Sequence, residues 1–437
     1  MDKKFTASVI TLGCRVNQYE SDYIMNELVK NGVAILKGSD ACDLYVINTC
    51  SVTAESDRKS RQLIRRCIQK NPNAKVIVTG CYSQISPDQA KEINGVSLVI
   101  GNNAKSKIPE IALSLLKNEK LCCDYSSDIY SGSFDNMMVG APLKRTRAFI
   151  KIQDGCDSKC AYCIIPYARG SVRSAMPENV INEVKEIAKK GCLEVVLTGI
   201  ETASYGKDFK NGYSLADLMA EANKIDGIKR IRLGSLDPSA ITKDFVDKIK
   251  GLDKVMPHFH ISMQSGCTKT LNSMKRKYNI EMAQRNIDYL KEAFPNVMLS
   301  CDIITGFPGE TDEDFDKTYD FLKSQRFLHM HLFPYSKRQG TLAATMKEQV
   351  PENIKKERLH LLESLEKEIK TSLLNDYVKN NKCIEVLFET FDGEYALGHT
   401  PNFIEVKVPC DKKISGEIRY VKPTHTDGEY VFAEFIK

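Results

Sequence analysis

Three short apolar, β-branched runs open the chain, at residues 8–12, 44–47 and 76–79, and stretches of helical periodicity separate them. Each run has the length of a buried parallel strand, so the alternation predicts a βαβ series and an open parallel sheet of the α/β class. A fourth run at 96–100 and a helical pattern near 108–116 complete an N-terminal unit expected over residues 1–120. Residues 121–146 are polar and aperiodic, which predicts a connecting segment carrying Cys122 and Cys123. A second alternation begins at Ala148, with strand-like runs at 148–153, 194–198, 229–233, 258–263, 297–304 and 328–333. Six βα units over 147–350 predict a partial (βα)6 TIM-like barrel, because about 190 residues fall short of the about 250 that eight units use. A Lys-, Glu- and Leu-rich pattern predicts a connecting helix over 351–379. From Cys383 short alternating segments punctuated by Asp392-Gly393 and Thr426-Asp427-Gly428 predict a small β-barrel over 380–437.

Cysteine placement adds chemistry to this outline. Cys156, Cys160 and Cys163 form a CxxxCxxC triplet just past the first strand of the second series. Three thiolates on one tight loop hold three irons of a cubane cluster and leave the fourth open to a ligand that is not protein. A structural zinc site needs four N or S ligands and usually arrives as paired CxxC units, and the nearest spare thiol, Cys192, stands alone. Zinc, and plain buried or disulfide-bonded cysteine, stand as the competing readings. Cys14, Cys50 and Cys81 each fall immediately beyond one of the three N-terminal strands. In an open parallel sheet the carboxyl ends of the strands share one edge, so these thiols are expected to converge on a second cluster whose open iron takes an exogenous ligand such as sulfide. The bland alternative is cysteine as a small core hydrophobe.

With 437 residues and 42% hydrophobic content the chain is long enough for about three domains. Fifteen cysteines suggest a disulfide framework only in a secreted protein, and the opening residues lack an apolar h-region and cleavage site. Reduced thiols and a cytoplasmic location are expected. No window approaches the about 18 apolar residues that span a bilayer, so no membrane is expected. A net charge of +5 permits a polyanionic partner without requiring one. Arg58, Arg61 and Arg65 recur at near-helical spacing after Cys50, either a solvated face or a phosphate-binding one. Further basic groups lie at 144–147, at Lys275-Arg276-Lys277, with Arg276 as an RNA-binding candidate, and at Lys337-Arg338. Gly199, Glu201, Gln264, Ser265, Gly306 and Gly309 fall at later strand ends of the second series, the face on which βα barrels build active sites. Glycines there let backbone amides approach a ligand, and Glu201 is suited to a ribose hydroxyl or an amino group, while simple turn chemistry is the alternative. Phe388, Phe391, Tyr395 and Phe403 beside lysines suit nucleotide stacking and equally suit a small core.

With the triplet, the three strand-end cysteines and the Gly306-Phe307-Pro308-Gly309-Glu310 turn taken together, the whole chain resembles the radical SAM methylthiotransferase family. The resemblance implies an N-terminal domain holding an auxiliary 4Fe-4S cluster through Cys14, Cys50 and Cys81. It also implies a radical SAM core whose cluster is held by Cys156, Cys160 and Cys163, and a C-terminal TRAM domain, OB-like in fold. These six cysteines are the catalytic and metal-ligating candidates. Tyr162, Gly199, Glu201, Gln264, Ser265, Gly306 and Gly309 are the candidates for contact with S-adenosylmethionine, with core packing the alternative for Tyr162. The segments 11–21, 163–170 and 333–336 look most like the branch that acts on N6-threonylcarbamoyladenosine in tRNA, beside the anticodon. Related branches modify isopentenyladenosine in tRNA or an aspartate of a ribosomal protein. Around Cys14 those two tend to show Gly-Cys-Gln-Met-Asn and Gly-Cys-Pro-Lys-Asn, whereas this chain has Gly13-Cys14-Arg15-Val16-Asn17. Glu201 stands where the first branch often has histidine, and Ala175 where arginine is common. The partners so implied are a tRNA anticodon stem-loop, a reductant protein such as flavodoxin or ferredoxin, and a sulfur donor; residues 395–408 are the expected RNA-recognition surface. A protein-modifying enzyme, and a non-enzymatic iron-sulfur scaffold or RNA-binding regulator, are the readings from other classes.

Overall fold

The computed structural model describes residues 4–38, 40–119, 129, 132–140 and 146–436; Cys122, Cys123 and residues 144–145 lie outside the described residues. The N-terminal sheet is built from β1 (Thr6–Thr11), β2 (Ala34–Ile35), β3 (Leu44–Thr49), β4 (Lys75–Gly80) and β5 (Leu98–Val99) in the order β2-β1-β3-β4-β5. Every pairing is parallel. All of β3 is buried, which is why its sequence, Leu-Tyr-Val-Ile-Asn-Thr, does not alternate. Ile24, Leu28, Ile108 and Ile111 cover one face of the sheet, and Ile64, Cys67 and Tyr82 the other. The edge strand β2 was not expected because two residues carry no readable period.

The second region contains β6 (Arg147–Lys151), β7 (Gln153–Asp154), β8 (Arg173–Ser174), β9 (Glu194–Thr198), β10 (Arg230–Leu233), β11 (His258–Gln264), β12 (Met298–Thr305) and β13 (His329–Pro334). Two parallel three-stranded sheets, β10-β9-β6 and β11-β12-β13, meet where Leu236 bridges Ile261. The Leu236 N–H donates to His260 O at 2.8 Å, and the Ser262 N–H to Leu236 O at 2.9 Å. Six parallel strands thus form the expected incomplete barrel. The antiparallel pair β7–β8 is additional: it matches Asp154 with Arg173 and closes the base of the loop that carries the cysteine triplet.

Helix Glu352–Asn380 leads to β14 (Ile384–Phe391), β15 (Tyr395–His399), β16 (Glu405–Pro409), β17 (Ile418–Thr426) and β18 (Val431–Phe435), a closed five-stranded barrel. Phe388 is in the core of that barrel, so it is not a stacking platform for a base. Phe403 is engaged as well. Its ring stacks on His258 at 4.6 Å and on His399 at 4.5 Å, with the Arg147 and Arg232 guanidiniums over it at 5.1 and 4.9 Å. Arg232 also donates to the carbonyls of Thr400 and Pro401, each at 2.9 Å, so this part of residues 395–408 seals the amino-terminal mouth of the large barrel and is not open to RNA.

The N-terminal sheet meets the barrel through buried charge. Glu20, on helix Arg15–Lys30, accepts from Lys105, from Lys151 at 2.9 Å and from Arg169 at 2.6 Å, and none of these side chains is more than 1% exposed. Lys151 also pairs with Asp154 at 2.6 Å, and Arg169 with Asp154 at 3.2 Å and with Asn17. Burial alone raises both carboxyl groups, but the cations prevail: Arg169, Lys105 and Lys151 hold Glu20 well below the usual range, and Arg169 and Lys151 bring Asp154 to about 2. Breaking such a set strands buried charge. Replacement Glu20→Ala is expected to cost roughly 3–5 kcal/mol in chemical denaturation. Because both carboxyl pKa values are depressed by folding, their contribution is full above the unfolded value of about 4 and is lost as pH falls through the folded values. Wild-type Tm should therefore drop steeply between about pH 4 and pH 2, and the Glu20→Ala variant should show a shallower drop.

Candidate functional site

The triplet loop turns on Gly155, whose φ is 72° and at which a Cβ would stand 1.9 Å from the Ser171 carbonyl oxygen. Each of its sulfurs meets its own donor. The Ser158 N–H points at Cys156 Sγ at 3.4 Å, the Ile165 N–H at Cys163 Sγ at 3.4 Å, and Arg276 Nη1 at Cys160 Sγ at 3.2 Å. Hydrogen bonds of this kind orient thiolate ligands and tune a cluster. Burial, then the neighbouring Glu201, pushes the Cys156 thiol up to about 11, and burial pushes Cys163 to about 12. Metal binding at this loop must therefore displace protons.

The other predicted contacts fall into two groups. Glu201 lies at the triplet: its Oε2 is 3.3 Å from Cys156 Sγ and 3.2 Å from Ser158 Oγ. Tyr162 packs edge-on to Phe307 at 6.4 Å, and its hydroxyl accepts from Arg276 at 3.4 Å. Gln264 takes a left-handed φ of 63° at the end of β11. The remaining groups are engaged in structure. A Cβ on Gly199 would meet Gln153 Oε1 at 2.7 Å, so this glycine serves close packing. Ser265 is buried and its Oγ accepts the Cys267 N–H at 3.1 Å. The Gly306 N–H is taken by Glu310 at 2.8 Å, and a Cβ there would strike Lys355; Gly309, with φ 83°, closes the same turn. Ala175 is buried, its carbonyl accepting from Tyr205 at 2.9 Å.

Arg276, expected in an RNA-facing basic run, is instead 9% exposed, salt-bridged to Asp237 at 2.6 Å and aimed at the triplet. A run of like charges reads the same whether it is solvated or folded inward. Arg58 and Arg65 do lie on the exposed face of helix Ala54–Lys70, with Arg58 paired to Glu55, and Arg61 sits 5.7 Å over the Tyr82 ring. Arg338, from another basic pair, turns inward to Asp57 at 2.7 Å and Ser51 at 2.8 Å.

The strand-end cysteines come together as the parallel topology requires. Gly13, at φ 99°, passes so close to Cys50 that a Cβ would lie 2.9 Å from Cys50 Cβ, and Gly80, at φ 100°, passes Thr49 in the same way. Asn17 Nδ2 clamps the ends of β1 and β3 by donating to Leu12 O at 2.8 Å and Thr49 O at 3.0 Å. Burial raises the Cys50 thiol, the Cys14 thiol is raised by the protein around it although its side chain is exposed, and each also feels the charge of Cys81. The Asn17 and Val52 backbone N–H groups turn toward Cys14 and Cys50. Helix Cys81–Ile85 packs against helix Ile165–Arg169, which follows directly on Cys163, so the two trios sit on either side of one helix contact. Arg169 spans the seam: its charge reaches Cys14 and Cys81 of the strand-end trio, and its guanidinium is fixed by Glu20 and by Asp154 at the base of the triplet loop. Glu20, Lys105 and Arg169 were missed in the sequence, where nothing marks a charge as buried.

One further cluster lies within the barrel. His260 Nε2 and His331 Nδ1 both face Asp302 Oδ1, at 3.1 and 3.2 Å. These three ligand atoms lie within 4.8 Å of one another, a closeness that no cysteine trio among the described residues matches. The donor chemistry of both trios fits a cluster: each supplies three thiols, one set on a single loop and the other at neighbouring strand ends.

Residues 150–322 match the radical SAM superfamily, and residues 6–101 match the uncharacterized protein family UPF0004. The threonylcarbamoyladenosine tRNA methylthiotransferase MtaB of Bacillus subtilis is 38% identical over 99% of this chain and 96% of its own length. The tRNA-2-methylthio-N(6)-dimethylallyladenosine synthase of Caldicellulosiruptor saccharolyticus is 32% identical over 99% of this chain and 93% of its own. The solved radical S-adenosylmethionine methyltransferase TsrM of Kitasatospora setae shares the fold, at a TM-score of 0.56 and 14% identity, covering 78% of this chain and 77% of that one. No helix among the described residues is long and apolar enough to cross a membrane. Two cysteine trios on facing strand ends, together with relatives that match from end to end, place this chain in the radical SAM methylthiotransferase family.

Proposed function

We propose that this protein converts N6-threonylcarbamoyladenosine, beside the anticodon of a cytoplasmic tRNA, to its 2-methylthio derivative. The observation that carries the reading is the meeting of the two trios across one helix contact, with Arg169 bearing on Cys14 and paired to Asp154 at the base of the triplet loop. The Bacillus relative, named for threonylcarbamoyladenosine, is closer at 38% than the Caldicellulosiruptor relative, named for dimethylallyladenosine, at 32%. That second substrate is the alternative. In this reading residues 1–120 carry the auxiliary site, 147–350 the radical SAM core and 380–437 the TRAM domain, joined by 121–146 and 351–379.

A cluster bound by Cys156, Cys160 and Cys163 supplies one-electron chemistry on S-adenosylmethionine, and one bound by Cys14, Cys50 and Cys81 supplies the place from which sulfur is delivered. The chain's own residues do the rest. Ser158, Ile165 and Arg276 hold the triplet's sulfurs in orientation, and Arg276 is itself held by Asp237. Glu201 stands where it can accept from the amino group of a bound S-adenosylmethionine. Glu20 and Arg169 keep the two loops in fixed register, so that a base held between them meets both. Such a base must be splayed out of its loop, with Arg58 and Arg65 taking phosphates along the helix surface. A reductant protein such as flavodoxin or ferredoxin and a sulfur donor complete the reaction.

Three outcomes test this. Nucleosides from cells lacking the protein should lose the 2-methylthio form of threonylcarbamoyladenosine by mass spectrometry; loss of the dimethylallyl counterpart instead selects the alternative. Replacement of Cys14, Cys50 or Cys81 by Ala should leave reductive cleavage of S-adenosylmethionine intact and abolish methylthiolation, whereas Cys156→Ala, Cys160→Ala or Cys163→Ala should abolish both. Arg58→Ala combined with Arg65→Ala should weaken stem-loop binding and lower the slope of log K against log salt by roughly 1–2 units.

A further inference from the structure

Seven histidines occur in the chain, and four of them, His258, His260, His329 and His331, fall at alternate positions of β11 and β13, the two strands that flank β12. The register brings them level with Ser300 and Asp302: His260 pairs with Ser300, Ser300 with His329, and Asp302 with His331. Alternation then settles the face. Phe259, Ile261, Leu299, Cys301 and Met330 enter the core shared with the surrounding helices, so the four histidines, Ser300 and Asp302 are turned the other way, into the barrel. Most of the chain's supply of the commonest metal-binding side chain is thus gathered on one face of three strands.

Three of these polar groups converge. His260 Nε2 lies 3.1 Å and His331 Nδ1 3.2 Å from the same oxygen, Asp302 Oδ1, and the three atoms lie within 4.8 Å of one another. Two ligands at about 2.0–2.2 Å from one ion stand about 3–3.5 Å apart, so both separations match neighbouring positions on a single metal. The surroundings orient the rings as metal ligands are oriented. Ser300 Oγ is 2.8 Å from His260 Nδ1 and 3.2 Å from His258 Nε2. A hydroxyl that donates to His258 accepts from His260, and the Nε2 lone pair of His260 is then aimed at Asp302. Two acceptors facing each other need a proton or a metal ion between them. Access is present as well: the His331 side chain is 60% exposed, against 17% for His260 and 23% for Asp302.

We propose that His260, Asp302 and His331 bind a divalent first-row transition ion, separate from both cysteine trios, with Ser300 as the positioning residue for His260. Two imidazoles and one carboxylate are a donor set that suits Fe(II), Co(II) or Zn(II), and three protein ligands leave positions open to water or to a carboxylate of an incoming molecule. The cysteine trios are soft sulfur sites by contrast, so the triad differs from them in the ligands a bound metal would report. The inference does not depend on which nucleoside the enzyme modifies.

The test uses the holoenzyme with both clusters in place, cleared of loosely held metal with a mild chelator, equilibrated anaerobically with Co(II) and gel-filtered. Metal analysis should find about one cobalt per chain beyond the cluster iron, and X-ray absorption at the cobalt edge should show nitrogen and oxygen neighbours at about 2.0–2.2 Å with no sulfur at about 2.3 Å. Ser300→Ala should weaken cobalt binding by about ten- to hundredfold, and Asp302→Asn or His331→Ala should abolish stoichiometric retention. His331 is exposed, so its replacement leaves the fold in place, and iron and sulfide content with Tm in the absence of cobalt guard every variant against cluster loss or misfolding. Cobalt should raise the Tm of wild type and leave that of His331→Ala unmoved. A wild type that retains no cobalt, retention unchanged in Asp302→Asn and His331→Ala, or a sulfur-ligated cobalt each overturns the inference.

Discussion

Glu20 is enclosed by Lys105, Lys151 and Arg169 with no access to water, and the positions of both cysteine trios follow from that arrangement. It stands on the helix that begins just after Cys14, whereas Lys151 and Arg169 stand before and after the triplet loop. An apolar interface would tolerate sliding; an ion set does not, because a displaced partner leaves a bare charge in a dry interior. Among the described residues the set also carries an imbalance: Lys105, Lys151, Arg169 and Arg173 pair with two carboxylates, Glu20 and Asp154. The excess positive charge is directed at Cys14 and Cys81, whose thiolates have the opposite sign once they act as ligands. Electrostatics thus couples the seam between the two units to the state of the auxiliary trio.

Both halves of the site apply the same topological rule. Parallel strands present their carboxyl ends on one side, in the open N-terminal sheet and in the incomplete barrel alike. What is particular here is that the two sides face each other. The contact between helices Cys81–Ile85 and Ile165–Arg169 brings two separate strand-end sites to either side of one helix pair.

The architecture was legible because its signals are local. Runs at 44–47 and 76–79 read as buried parallel strands, and six such runs after Ala148 read as the barrel, since length and β-branching survive without neighbours. The cysteine trios were legible through their offset from strand ends. What was not legible depends on tertiary burial. Arg276 and Arg338 lie in basic runs but point inward, and Phe388 and Phe403 read as possible base platforms although one fills the small barrel and the other plugs the large one. The glycines of the 306–310 turn looked available to a ligand, whereas Gly306 must make room for Lys355. The Glu20 set left no trace, because three cations far apart in sequence carry no period.

The stacked rings of His258, Phe403 and His399 also fix how the small barrel is carried. Arg147 and Arg232 lie over the Phe403 ring, and Arg232 is bonded to the Thr400 and Pro401 carbonyls. Pulling the C-terminal barrel away would strip those two cations of their partners, so it is a rigid part of the large barrel's wall and not a swinging appendage.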